Sequence, residues 1–375
     1  MVTSIVARYS LRIRLCFLYN LIFFVLLLTG CSKKKSADVS IIWSDQQAIG
    51  ISIPETLTGT ITDSLENKLV VRLSKEGNIT PIIGSYQKQN DAILFEPLIP
   101  FTHGLSYQVL LDDKLISQFT IPEADQTKAP ELLSIYPAID TIPENLLKMH
   151  FRFSKPMHEG QSVQHLTLLK NNTDTLHGTF LDLQPELWNE DGTILTLWLD
   201  PGRIKRDLQP NKELGTPLQS DTHYQLIISN LWEDKNGTSL TRQYQKDFIT
   251  TLRDSISPNP KMWNIQTPPI NSMQPLIIDF HESMDYNLIN TTLHLIDHSN
   301  AEVKGKWQLN ETVDKINFMP TVSWIEGDYQ LQVESRLEDL SGNNLNRAFD
   351  VDVKHKTNPS SSEEMITIPF TVKKK

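Results

Sequence analysis

Cysteine is nearly missing from this chain: two among 375 residues, at positions 16 and 31. From Ser32 onward there is none, which excludes a disulfide, a thiolate metal site and a thiol nucleophile from that part. Cationic charge is in deficit as well, with 35 Lys and Arg against 45 Asp and Glu for a formal −10. That balance disfavours nucleic acid and gives no reason to adhere to anionic lipid. Long hydrophobic runs are scarce, and helical periodicity is hard to find. Signatures of catalysis are missing too. There is no Gly-x-Ser-x-Gly elbow, no His-Glu-x-x-His, no phosphate loop and no paired-glycine dinucleotide turn. The nearest cluster of metal-type residues, His158, Glu159 and His165 in "MHEGQSVQH", has its histidines seven residues apart, which suits neither a strand face nor a compact site. Neither metal nor cofactor is expected.

What the chain does contain begins with Arg8, Arg12 and Arg14, followed by "LCFLYNLIFFVLLLTG" from Leu15 to Gly30. This is a charged region before an apolar run that is too short, and too interrupted by Asn20, for a comfortable membrane span. Its end, Leu28-Thr29-Gly30-Cys31, resembles the bacterial lipobox. The resemblance implies cleavage before Cys31 and acylation of that thiol, with residues 1–30 a signal peptide and 31–40 a lipidated linker. The remaining 345 residues would carry a formal −13, since the leader holds three arginines and no acid. Each buried methylene of the anchor contributes about 0.8 kcal/mol, so two or three chains hold firmly. By resemblance to sorting in two-membrane bacteria, Ser32 in place of aspartate implies the outer membrane. The basic "SKKKS" implies its periplasmic leaflet rather than export to the cell surface.

Beyond the linker the pattern is short alternating strands. "KLVVRLS", "AILFEPL", "MHFRFS", "ILTLWLD", "HYQLIIS", "PLIIDF", "DYQLQVES" and "AFDVDV" carry β-branched or aromatic residues at a period near two, between Gly, Pro, Asn and Asp. Twenty-one prolines and fifteen glycines supply turns. Such a series predicts an all-β chain of sandwiches. An internal repeat divides it. "FSKPM" (Phe153 to Met157) aligns with "FHESM" (Phe280 to Met284), and "YQLIISNLWEDKNGTSL" from Tyr224 aligns without gaps with "YQLQVESRLEDLSGNNL" from Tyr329. A third copy around Tyr107-Gln108 keeps the second half only. Three modules are expected at 41–122, 128–252 and 258–375, separated by the polar, proline-bearing "PEADQTKAP" and "LRDSISPNP". The last should close with an extra strand, "ITIPFTV".

These residues resemble the bacterial Ig-like domains of S-layer and cell-envelope proteins. The entry "SIYPAIDTIPENL", the strand ending Phe153-Ser154-Lys155-Pro156-Met157 and the turn Asp339-Leu340-Ser341-Gly342-Asn343 carry that resemblance. It covers the second and third modules well and the first only in its C-terminal half. It implies seven-stranded sandwiches and a role in adhesion, spacing or presentation, without a named ligand. Phe153 and Phe280 should lie in the core, with Met157 and Met284 as filler at the sandwich edge. The Asp-x-x-Gly turns read as structure, because each brings one or two carboxylates where calcium needs six to eight oxygens. His281-Glu282 reads as a solvated turn.

One stretch stands out, "LTLWLDPGRIKRDLQPNKELGTPL" from Leu195 to Leu218. The third module passes from strand to Tyr-led strand between Met319 and Gly327, whereas the second needs an insertion at 200–221. Two readings apply to Arg203, Lys205, Arg206 and Trp198. Arg203 and Arg206 either pair with Asp200, Asp207 or Glu213, while Trp198 and Trp188 pack the loop down, or present a guanidinium fork to a partner's carboxylate. The expectation is therefore a lipid-anchored, non-enzymatic envelope scaffold or binding protein, meeting an envelope protein, peptidoglycan or glycan and no nucleic acid. One alternative is a carbohydrate-binding lipoprotein of a glycan uptake system, stacking sugars on exposed Trp188, Trp232, Trp263 and Trp324. The other is a hydrolase with an unrecognised site.

Overall fold

The computed structural model describes residues 38–44, 46–59, 68–75, 77, 79–350 and 363–374. The leader, Cys31, the "SKKKS" linker and the segment 351–362 lie outside the described residues. Among those described, no helix is long and apolar enough to cross a membrane. The chain divides into two compact units, Met1–Glu123 and Ala124–Lys375.

The first unit is one sandwich. Its strands are β1 (Ser40–Ser44), β2 (Gln47–Pro54), β3 (Leu69–Leu73), β4 (Gly84–Gln89), β5 (Ala92–Pro97), β6 (Ser106–Leu111) and β7 (Lys114–Thr120), with a single helical turn α1 (Glu55–Thr58) after β2. They form one sheet in the order β1-β2-β5-β4 and another in the order β3-β6-β7. Lettered A to G along the chain, that is A-B-E-D against C-F-G, the constant-type immunoglobulin arrangement. Alternation does the sorting: Ile51 and Ile53, Leu69 and Val71, Ile93 and Phe95, Tyr107 and Val109 all turn inward and are buried. The whole strand set is present here, although the repeat was legible only in the second half.

The second unit holds two sandwiches. The first of them uses β8 (Leu132–Tyr136), β9 (Thr141–Pro143), β10 (Lys148–Phe153), β11 (Leu166–Lys170), β12 (Asp174–Leu176), β13 (Leu187–Trp188), β14 (Ile194–Trp198), β15 (His223–Ile228) and β16 (Tyr244–Thr251). Its sheets run β13-β14-β10-β8 and β12-β11-β15-β16-β9, with β9 parallel to β16. The A strand thus begins in one sheet as β8 and ends in the other as β9. The last sandwich uses β17 (Asn264–Gln266), β18 (Leu276–Asp279), β19 (Leu293–Ile296), β20 (Gly305–Leu309), β21 (Lys315–Pro320), β22 (Gly327–Glu334) and β23 (Met365–Val372). It returns to A-B-E-D against C-F-G, as β17-β18-β21-β20 and β19-β22-β23. Strand β23 pairs along its whole length with β22, from Gly327–Val372 to Glu334–Met365.

The repeated tyrosine has a structural task. Tyr107, Tyr224 and Tyr329 lie at or near the start of strand F in the three sandwiches, and each hydroxyl bonds back to the loop before it. Thr102 N–H donates to Tyr107 Oη at 2.9 Å, Gln219 N–H to Tyr224 Oη at 2.9 Å, and Tyr329 O–H to Ile325 O at 3.2 Å. This is the tyrosine corner of immunoglobulin sandwiches. Phe153 and Phe280 are in the core, as are Met157 and Met284, which bridge to the turn residues Asp234 and Asp339. A second repeat escaped the sequence reading. Gly84 and Gly305 open the D strands β4 and β20, where a Cβ would collide with Phe95 and Phe318 respectively. Tyr86 and Trp307, two residues on, pack against those same rings at 4.7 and 4.8 Å.

One expected strand is not seen among the described residues. Of "AFDVDV", residues 348–350 make no ladder and the rest lies outside the described residues. Phe349 instead packs against the core of the middle sandwich, where a ring gains more from burial than a solvent-facing edge would give.

Candidate functional site

The insertion folds into two helical turns, α2 (Pro201–Ile204) and α3 (Gln209–Leu214). The Asp200 carboxylate accepts from Gly202 N–H at 2.8 Å and Pro201 takes the first helical position, which starts α2 in the usual way. Ile204 and Leu218 anchor both ends in the core. Arg203 staples the excursion to itself: Nη1 donates to Gly178 O at 2.8 Å, Nε to Gly215 O at 3.1 Å and Nη2 to Thr216 O at 3.1 Å. Its partners are carbonyls, not the acids that charge alone suggested.

Lys205 and Arg206 reach into the last sandwich's chain. The Lys205 ammonium lies 4.2 Å from the centre of the Phe349 ring, and Arg206 Nε donates to Asp350 Oδ2 at 2.8 Å. Asp350 also receives Arg253 Nη1 at 3.0 Å, while Arg253 Nη2 returns to Ile204 O at 2.9 Å. Trp198 offers its ring to the Lys148 ammonium at 5.1 Å. Of the residues picked from the sequence, Lys205, Arg206 and Trp198 therefore converge on the seam between the middle and last sandwiches, while Arg203 stays within the middle one.

That seam is built from charge and stacked rings. The Lys148 ammonium donates to Glu338 Oε2 at 2.6 Å and to Asp285 Oδ2 at 3.2 Å, and His150 Nε2 lies 3.2 Å from the same Asp285 oxygen. Asp285 Oδ1 accepts from Asn287 and Leu288 N–H, capping α4 (Tyr286–Ile289). Burial opposes the charge on Asp285, yet the His150 bond and the Lys148 charge hold its carboxyl well below the ordinary range. Lys148 responds in kind: burial pulls it down, and Asp285 and Glu338 more than offset that, so it stays above its ordinary value. Beside this network Tyr136 and Tyr286 stack at 3.9 Å with 10° between their planes. Leu340 of the last sandwich packs on the middle core, and Tyr136 of the middle sandwich packs on the last.

The Asp-x-x-Gly-Asn turn closes the seam. Asp339 accepts from Ser341 N–H at 2.7 Å, Asn343 N–H at 3.0 Å and Asn343 Nδ2 at 2.8 Å. Gly342 sits at φ +78°, and a Cβ there would strike the Leu147 side chain across the seam. Ser341 Oγ donates to Asn145 Oδ1 at 3.2 Å, and Asn145 Nδ2 donates to Asp254 O at 2.7 Å. Asp254, Glu282 and Asp339 thereby meet, each offering a carboxylate oxygen within 4.8 Å of the others. Burial, with the Asp254 charge beside them, pushes Glu282 up to about 7 and Asp339 up to about 7 even against the Asn343 hydrogen bonds. Carboxylates this close share a proton or a cation. Offering one oxygen apiece, the three side chains fall short of the six to eight that calcium takes.

Two expectations are corrected here. Glu282 is not on a solvated turn, because the Asp339 turn and the Asp254 linker fold over it. At the equivalent place in the middle sandwich stands Lys155, whose ammonium bonds Lys128 O, so the acid trio has no twin there. Nor do the tryptophans form an exposed sugar platform. Trp232, Trp263 and Trp324 are buried, and Trp188 is half-buried with Nε1 donating to Glu186 at 2.8 Å. The repeat offset pairs Trp232 with Leu337, which is equally buried. That alignment was the available signal for its burial. Lys155 opposite Glu282 was the signal for the trio.

No protein-family model matches the chain, and no curated protein matches it. Among solved structures it is similar to the N-terminal part of the bacterial S-layer protein SbsC, at 11% identity and TM-score 0.24, over 66% of this chain and 45% of that one. It is also similar to native alpha-2-macroglobulin from Escherichia coli spanning domains MG0-NIE-MG1, at 12% identity and TM-score 0.22, over 65% and 72%. Domains A168–A170 of titin give 9% identity and TM-score 0.20, over 73% and 84%. None of these likenesses assigns a family.

Proposed function

We propose that this chain is a lipid-anchored, non-catalytic scaffold of the bacterial cell envelope, whose residues 124–375 act as a stiff two-sandwich arm. Leu28-Thr29-Gly30-Cys31 supports an acyl anchor on Cys31, in the outer membrane and facing the periplasm. The anchor supplies the membrane partner, and an envelope protein or peptidoglycan is the expected second one. The observation that carries the reading is the seam. Buried ion pairs, a tyrosine stack and side chains exchanged between two cores hold two sandwiches in one geometry, which suits spacing and presentation. Buried ion pairs add orientation more readily than net stability.

Because no cysteine follows Cys31, Thr175→Cys with Lys306→Cys gives two clean exposed label sites, one on each sandwich. Electron–electron distance measurement should return one narrow distribution, broadened by Lys148→Met. A broad distribution in the parent protein would remove the stiff-arm reading. For the anchor, palmitate labelling should be lost in Cys31→Ser, and proteinase K on intact cells should leave the protein uncut.

A further inference from the structure

Strand β16 has an open window on the edge away from β15. Below the window, Asp140 O takes Ile249 N–H at 2.8 Å, where β9 begins; above it, Pro130 O takes Thr241 N–H at 3.1 Å. Between these points the A strand has crossed to the other sheet as β8, and β9 pairs with β16 only from Ile249 to Thr251. Strand alternation puts the N–H and C=O of Gln245 and Asp247 on the same edge as Ile249 N–H, and among the described residues no strand pairs with them there. In front of them runs a groove of about 420 Å³, floored by Leu132 to Ile135 of β8 and by Tyr244 to Asp247. Leu133 is 48% exposed in it.

The rim is mostly acidic, with Arg242 beside it over the Tyr244 ring at 4.9 Å. Asp140 and Asp247 stand on it, and Glu311 reaches it from the last sandwich. Among the described residues the one cation lining it, Lys246, is tied down at the Asp140 end: its ammonium donates to Ala138 O at 3.2 Å and Ile139 O at 3.1 Å and lies 3.6 Å from Asp140 Oδ1, leaving Asp247 and Glu311 as the acids it does not pair with. The part of the window within the strand, Tyr244 to Phe248, is five residues, or roughly 16 Å of extended chain.

We propose that this groove takes an extended, lysine- or arginine-bearing segment of a partner protein, added as a strand to the edge of β16. Main-chain bonds to Gln245 and Asp247 would supply affinity. Leu133 would meet the segment's apolar side chains, and the acidic rim would select its basic ones. This goes beyond the scaffold reading, which would stand without it.

The test titrates the full chain from Ser32 with acetyl-Lys-Val-Lys-Val-Lys-Val-amide, following hydrogen exchange at Gln245 and Asp247. Saturable binding with slowed exchange at both amides is expected, together with tenfold or greater weakening in Gln245→Pro. Proline removes the outward N–H while the bonds to β15 belong to the alternate residues. If that variant does not fold, the same peptide N-methylated at alternate residues replaces it and should not bind. Asp140→Asn with Glu311→Gln should weaken binding severalfold and flatten its salt dependence. No binding at millimolar peptide, unchanged exchange, or equal binding of the glutamate-for-lysine peptide would each overturn the proposal.

Discussion

Replacing Glu282 with glutamine removes one negative charge from the acid trio and keeps its shape. Burial and the Asp254 charge lift this carboxyl from 4.5 to about 7. Between about pH 4 and 7 the folded state therefore binds more protons than the unfolded chain. The contribution of this carboxyl to stability is fullest below pH 4 and is lost as pH rises through 7. The span from 4.5 to about 7 corresponds to about 3.4 kcal/mol. Glu282 is only partly buried and shares Asp254 with Asp339, so screening and coupling reduce this to about 1–2 kcal/mol. Glu282→Gln should thus be more stable than the parent by that amount at pH 8.5, a rise of about 3–6 °C in Tm for a unit of this size. At pH 4, where both side chains are neutral, the two proteins should coincide. Urea unfolding followed by the buried Trp263 and Trp324 gives the readout. A variant no more stable at pH 8.5, or one whose gain persists at pH 4, would refute the reasoning.

Lys148→Met leaves Asp285 and Glu338 without their ammonium and should cost about 3–5 kcal/mol, with the Asp285 carboxyl titrating upward by NMR; a loss under 1 kcal/mol would contradict the seam's design. Tyr224→Phe strands Gln219 N–H and should cost about 1–3 kcal/mol in thermal unfolding, whereas Tyr329→Phe leaves only a carbonyl short of one donor and should cost less. Arg203→Ala should speed hydrogen exchange across 201–216, while Arg206→Ala should change stability by less than about 1 kcal/mol, because its pair is half exposed and Asp350 keeps Arg253.

The repeat was legible because it is local. Tyr224 and Tyr329 recur with the same neighbours, and their alternation marks strand F, although the hydroxyl's bond to the preceding loop is not visible in a pattern. Phe153 and Phe280 read correctly as core for the same reason. Trp232 did not: residue type says that tryptophan is amphipathic, and only its alignment with Leu337 points inward. The 200–221 insertion was legible by comparing lengths, and its cations by composition. Their partners were not, since Gly178, Phe349 and Asp350 lie far along the chain from Arg203, Lys205 and Arg206.

From the sequence alone come the strands, the turns, the modular repeat and the expectation of a leader ending before Cys31, because periodicity, turn chemistry and a short apolar run are properties of neighbouring residues. Tertiary structure alone decided that Asp254, Glu282 and Asp339 share one corner, that Lys148 meets Asp285, and that β16 keeps an open edge. Those outcomes depend on register and on how one sandwich docks against the next. No local pattern encodes which distant charges a seam will bury together.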